Sequence, residues 1–211
     1  MPYIPATNRP AIDEKVRALA DEIARVMIDQ QHTAEIATHY RSAFLEIAGY
    51  IEAKEKNTAA PPASTAQQLA ATIVEVAQVY GVRGGWTGEL NYAITMLIQL
   101  VPYQMQARKA WEESLRYWIY AETVGALTRT AYDLHTRTSD DYIGNGLTGV
   151  FEDIKDEYKR RVNSAYEAAQ ILKSGDCYDY VPFRTQLVAT TVAGTAGYQE
   201  VMLPRQDGKG L

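Results

Sequence analysis

The chain has 211 residues, 46% of them hydrophobic and 22% charged, which is enough to bury one sizeable core. Its 26 acidic and 21 basic residues give a formal net charge of −5, which argues against nucleic acid or an anionic membrane as partner, since clustered Lys and Arg hold both. The single cysteine, Cys177, allows no internal disulfide. The longest apolar run, residues 93–101, contains Thr95 and Gln99 and is too short to span a bilayer. The opening Met1-Pro2-Tyr3-Ile4 lacks the basic and apolar regions of a signal peptide, so a reducing cytoplasm is the expected location.

In chain order, Thr7-Asn8-Arg9-Pro10 offers a helix cap and an early proline, after which Ile12, Val16, Leu19, Ile23 and Val26 recur at helical spacing. The pattern resumes with Ile36, Tyr40, Phe44, Ile47 and Ile51, so a break or bend is expected near residues 30–34. Pro61 and Pro62 make residues 57–65 a helix-ending linker. Leu69, Ile73, Val76 and Val79 mark a shorter helix, ended by Gly81, Gly84 and Gly85. Thr87 is expected to cap the next helix, placing Glu89 in its first turn and Leu90, Ile94, Leu97, Ile98 and Val101 on its buried side.

Pro102 is expected to kink or end that helix, with a further aromatic helix over about residues 103–135. A last helix is expected to run toward residue 173, its start delayed to near Leu147 by Gly144 and Gly146. Residues 185–204 read as a β-hairpin, which is marginal alone and so must pack on the helices or pair with another chain. The expected fold is therefore mainly α: a bundle of about five helices over residues 1–180, with a linker near 57–66 and a C-terminal hairpin or tail over 181–211.

Two blocks exceed what helix packing requires. In the first, Arg83, Trp86, Glu89, Asn91 and Tyr92 surround a glycine-rich turn and a helix start, where backbone N–H groups can meet an anion and an aromatic ring can stack; a helix cap and a turn are the plainer reading. The glycines match neither a phosphate-binding loop nor a dinucleotide fingerprint. In the second, Glu152, Asp153, Lys155, Asp156, Glu157, Tyr158, Arg160 and Arg161 follow one another on a helix. Glu157 with Arg161 and Asp156 with Arg160 are i,i+4 pairs typical of a solvated face, whereas the like-charged pairs Glu152/Asp156 and Asp153/Glu157 would suit a bound cation.

Elsewhere, His32, Glu35 and His39 could share a helix face, but no other His or Cys cluster answers them, and no nearby base activates Cys177. Glu52-x-x-Glu55 and Asp153-x-x-Asp156 only loosely match the carboxylate pairs of all-helical nucleotide pyrophosphatases. Trp111, Tyr117, Trp118 and Tyr120 fall on more than one helix face, as core or partner-facing residues do. The pattern specifies no cofactor, catalytic residue or metal site.

The opening Met1-Pro2-Tyr3-Ile4 with Arg9 and Asp13, the block Gly88-Glu89-Leu90-Asn91-Tyr92-Ala93-Ile94-Thr95, and the closing series Glu152, Lys155, Glu157, Tyr158, Arg160, Arg161 and Val162 together resemble a family of small uncharacterised phage and prophage proteins. The resemblance covers about half of the chain and implies a helical fold in a phage or prophage context, without a reaction. The leading expectation is a non-enzymatic accessory protein, homo-oligomeric, that binds a host protein or a small anionic ligand through Arg83, Trp86, Glu89, Asn91, Tyr92, Glu152, Glu157, Tyr158, Arg160 and Arg161. Two others compete with it. A metal-dependent nucleotide hydrolase would gather Glu89, Glu152, Asp153 and Asp156, and a structural virion subunit would add its hairpin to a neighbour.

Overall fold

The computed structural model describes residues 4–29, 36–108, 116–138 and 142–164, together with 168 and 172. Six α-helices lie among them: α1 (Arg9–Asp29), α2 (Ile36–Glu55), α3 (Thr65–Ala77), α4 (Thr87–Ala107), α5 (Arg116–Thr138) and α6 (Tyr142–Tyr158). A 3₁₀ turn, Gln78–Tyr80, follows α3, and a wide π turn, Lys159–Asn163, follows α6. No helix among the described residues is long and apolar enough to cross a membrane. The chain divides into a unit Met1–Tyr166, which holds all six helices, and a second unit, Glu167–Leu211. The expected hairpin at 185–204, Cys177 and Trp111 lie outside the described residues, as do His32 and Glu35.

Apolar spacing decides which face of each helix turns inward. Ile12, Val16, Leu19, Ile23 and Met27 are buried on α1, and Ile36, Tyr40, Phe44, Ile47 and Ile51 on α2. The neighbour relations close on themselves: α1 packs on α4, α4 on α6, α6 on α5, α5 on α2, α2 on α3, and α3 on α1. An aromatic column crosses the core, with Tyr40 stacked on Phe44 at 5.5 Å and Phe44 tilted against Phe151 of α6 at 5.4 Å. Burial pushes the Tyr40 phenol well above the ordinary tyrosine range.

Four expectations need correction. Thr87 is the first residue of α4 and not its cap; Trp86 holds the cap position without a side-chain bond, and the helix opens with Leu90 N–H on the Trp86 carbonyl at 2.9 Å. Pro102 does not end α4, which continues to Ala107. Proline removes one donor, that facing the Ile98 carbonyl, while Val101 and Met105 on either side are fully buried and keep the helix in the core. Residues 103–107 accordingly belong to α4, and the aromatic helix is described over Arg116–Thr138. Finally, α6 already includes Tyr142, ahead of its glycines, and Gly146 is where it passes Trp86: a Cβ there would stand 3.7 Å from the indole.

The proline linker joins α2 and α3 within one unit. Ser64 caps α3 by accepting from Gln67 N–H at 3.1 Å, and its hydroxyl donates to Glu46 of α2 at 2.6 Å. Between α3 and α4 the chain turns through Gly81 and Gly84, at φ of 61° and 77°, conformations that favour glycine. That turn aims the start of α4 at the N-terminal segment.

Candidate functional site

The first sequence block separates into three settings. Trp86 is 2% exposed, and its indole N–H donates to Glu55 at the end of α2 (2.9 Å), while Arg83 pairs with the same carboxylate at 3.5 Å. These two residues tie the turn to α2. Glu89 is 1% exposed and faces the N-terminal segment, where one carboxylate oxygen accepts from Asn8 Nδ2 at 3.0 Å and from the Tyr80 hydroxyl at 2.6 Å. The bond to Glu89 pushes the Tyr80 phenol up to about 12. Asn91, half-buried, accepts from the Thr95 hydroxyl at 3.3 Å.

Tyr92 lies on another face of α4. Its hydroxyl donates to Asp13 of α1 at 2.8 Å, and the Arg9 guanidinium sits 5.8 Å from its ring centroid. Burial raises the Tyr92 phenol, helped by the Asp13 carboxylate. Arg9 is steadied from behind, since it also donates to the Ile4 carbonyl at 3.3 Å. Ile4 is buried near Gly88, the position at which a Cβ would lie 3.6 Å away. The opening of the chain and the start of α4 therefore form a single interlocked corner.

The closing helix meets this corner from the other side. Glu157 accepts from two nitrogens of Arg160 at 2.7 and 2.8 Å and from Arg161, and these guanidiniums hold its carboxyl down to about 2. Arg160 thus reaches Glu157, three residues back. Glu152 pairs with Lys155 on the same helix. Tyr158 stacks on Tyr120 of α5 at 5.6 Å, and burial raises its phenol.

Between α1, α4 and the end of α6 lies a cleft of about 550 Å³. Arg9, Tyr92, Thr95, Glu157, Tyr158 and Arg161 line it, with Met96, Ile98, Ile154 and Val162 supplying most of its apolar wall. Of the ten residues singled out from sequence, Tyr92, Glu157, Tyr158 and Arg161 meet here. Arg83, Trp86, Glu89 and Asn91 do not, and neither Glu152 nor Arg160 lines the cleft.

Sequence reasoning missed the cleft role of Arg9 and the anchoring of Glu89 by Asn8 and Tyr80. The signal for Arg9 was its place in the opening motif, which marked the residue without showing what it faced. The carboxylates of the hydrolase reading are not gathered: Glu89 is engaged by Asn8 and Tyr80, and among the described residues no three His, Cys, Asp or Glu side chains are grouped so as to hold a metal ion.

Residues 1–143 match the model of a family described as Domain of unknown function (DUF6899). The chain belongs to that family. No curated protein and no solved structure matches it. The DUF6899 span ends at the second residue of α6, so Arg9 and Tyr92 lie inside it while Glu157, Tyr158 and Arg161 lie beyond it.

Proposed function

We propose that this DUF6899 protein is a non-enzymatic binding protein whose ligand is a small anionic molecule held between α1, α4 and α6. One observation carries the reading: the opening, the Gly88–Thr95 block and the closing helix, distant in sequence, converge on one cleft with a mainly apolar wall and two arginines at its surface. The volume, about 550 Å³, lies in the range of small-molecule sites. A binding role suits the lining better than chemistry does. Thr95 donates its hydroxyl to Asn91, and Glu157 is engaged by two guanidiniums, so neither is poised for chemistry.

The phage or prophage setting implied by the sequence resemblance belongs to the same proposal, with a homo-oligomer in the host cytoplasm that sequesters a host metabolite as the role it would serve. Native mass spectrometry of the protein purified from its expression host, before and after denaturation, tests the binding. A co-purifying small acid at fixed stoichiometry, lost on Tyr92→Ala, is the expected result. A bare wild-type chain that also fails to take up any organic acid added in solution would overturn it.

A further inference from the structure

Away from the cleft, polar side chains also meet in a groove between α2 and α5, lined by Arg41, Glu122 and Arg129, and in a pocket between α2 and the proline linker. In the groove, Arg41 is committed to Asp133 through two nitrogens, and Glu122 and Arg129, of opposite sign, point to no one ligand. The linker pocket is built differently: its polar side chains are already held in place, each with a group to spare.

Glu46, Gly49, Tyr50 and Ala53 of α2 form one side of this pocket, and the linker at Ala59 with Gln67 of α3 forms the other, around a space of about 330 Å³. That is the lower end of the range for small-molecule sites. Gly49 stands in mid-helix, where glycine is disfavoured, and no atom outside its own stretch of helix lies within 4 Å of the place a Cβ would take. A side chain there would occupy the pocket. The end of the linker holds the polar groups. The Ser64 hydroxyl accepts from Gln67 N–H at 3.1 Å and donates to Glu46 Oε1 at 2.6 Å, while Ala63 N–H donates to Gln67 Oε1 at 2.8 Å. The Ala63 bond fixes the orientation of the Gln67 carboxamide and leaves its Nε2 as a donor; Glu46 keeps Oε2 as an acceptor. Tyr50, one turn beyond Glu46, is 7% exposed, and its hydroxyl is buried without a hydrogen-bond partner. Such a hydroxyl is costly until an acceptor reaches it.

We infer that this pocket binds a neutral carboxamide or lactam group on a small flat body. Its N–H is donated to Glu46, and its carbonyl oxygen, with two lone pairs, accepts from Gln67 Nε2 and the Tyr50 hydroxyl. One uncharged group thus gives each of the three polar side chains its complement. The body lies against Leu45 and the methyl groups of Ala53 and Ala59. A carboxylate would set a second anion beside Glu46, and an ammonium would meet Glu46 but turn donors toward the Gln67 donor. Lys54 places its ammonium 5.9 Å from the Tyr50 ring centroid without lining the pocket, so selection follows from the pairing of donors with acceptors. This site is independent of the anionic ligand proposed for the cleft.

Titration of the isotope-labelled full chain with benzamide, benzoate and benzylamine, followed through its amide NMR shifts, tests the assignment. Benzamide is expected to move the amides of Gly49, Ala59 and Gln67 and to bind there at least tenfold more tightly than either charged probe. Gly49→Leu puts a better helix former into the pocket; it should melt no lower than wild type and yet lose these shifts. Gln67→Glu keeps the oxygen that Ala63 holds but replaces the donor by an acceptor, and should weaken benzamide about tenfold, with Tyr50→Phe weakening it several-fold. Circular dichroism melts verify that the variants fold. Benzoate or benzylamine binding this site as tightly as benzamide would overturn the inference, as would benzamide shifts that persist in folded Gly49→Leu or an affinity unmoved by both Gln67→Glu and Tyr50→Phe. Benzamide that moves no amide of the pocket up to its solubility limit, or only those about Tyr92 in the cleft, would overturn it equally.

Discussion

Glu89 shows how a single side chain can look like a ligand group and serve as an anchor. Its carboxylate lies away from solvent because Asn8 and Tyr80 supply the donors that water would otherwise provide, and an unmatched buried carboxylate would be costly. Glu89→Ala, which strands both donors, is expected to lower stability by about 1–3 kcal/mol in urea denaturation, with Glu89→Gln costing less. Tyr80→Phe removes one of the two bonds and should cost about 1 kcal/mol by the same measurement. Glu157 titrates differently. Arg160 and Arg161 depress its folded value to about 2 from an ordinary 4.5, so the unfolded chain binds the proton more readily between these values. Its contribution is thus present above about pH 4.5 and lost as the pH falls toward 2. The melting temperatures of wild type and Glu157→Gln should therefore converge across that window, and the gap above it should shrink in added salt because the pair is near the surface.

At the scale of helices, spacing was informative wherever an element buries one face. Ile12 through Val26 and Ile36 through Ile51 placed α1 and α2 on either side of residues 30–34, and the Leu90 to Val101 stripe placed the buried side of α4. What escaped was long-range. Nothing near Pro102 in the sequence says that Met105, one turn on, is wanted in the core, and nothing near Gly146 says that Trp86 will pass there. The cleft was half legible for a related reason: residue types marked Tyr92 and Glu157 as unusual, but only the packing of α1 on α4 and of α4 on α6 put Arg9 into the same cleft. Two glycines test the local side of this account. Gly49, mid-way along α2 with open space about its Cβ position, should gain up to about 1 kcal/mol on Gly49→Ala from helix propensity alone. Gly146→Ala places its methyl at ordinary contact distance from Trp86 and should be tolerated, whereas Gly146→Leu should drive into the indole and cost more than it gains; thermal melts of the three variants check both statements.

For the molecule as a whole, the family span and the folded unit end in different places. The match stops at Ile143, yet Leu147, Val150, Phe151 and Ile154 beyond it are buried in the same core. A chain cut after residue 143 is expected to lose cooperative unfolding in urea and to show red-shifted tryptophan emission, since Trp86 would lose the helix that covers it; a sharp transition like that of the full chain would contradict this. The closed order of neighbours has a further consequence for a chain made from its N-terminus onward. As α1 leaves the ribosome, the faces it will give to α3 and α4 have no partner yet, and α4 in turn waits for α6. The cleft, which needs α1, α4 and the last turn of α6 together, becomes complete only when nearly the whole helical unit has been synthesised, so a nascent chain would meet the cell's other proteins with apolar helix faces uncovered long before that corner closes.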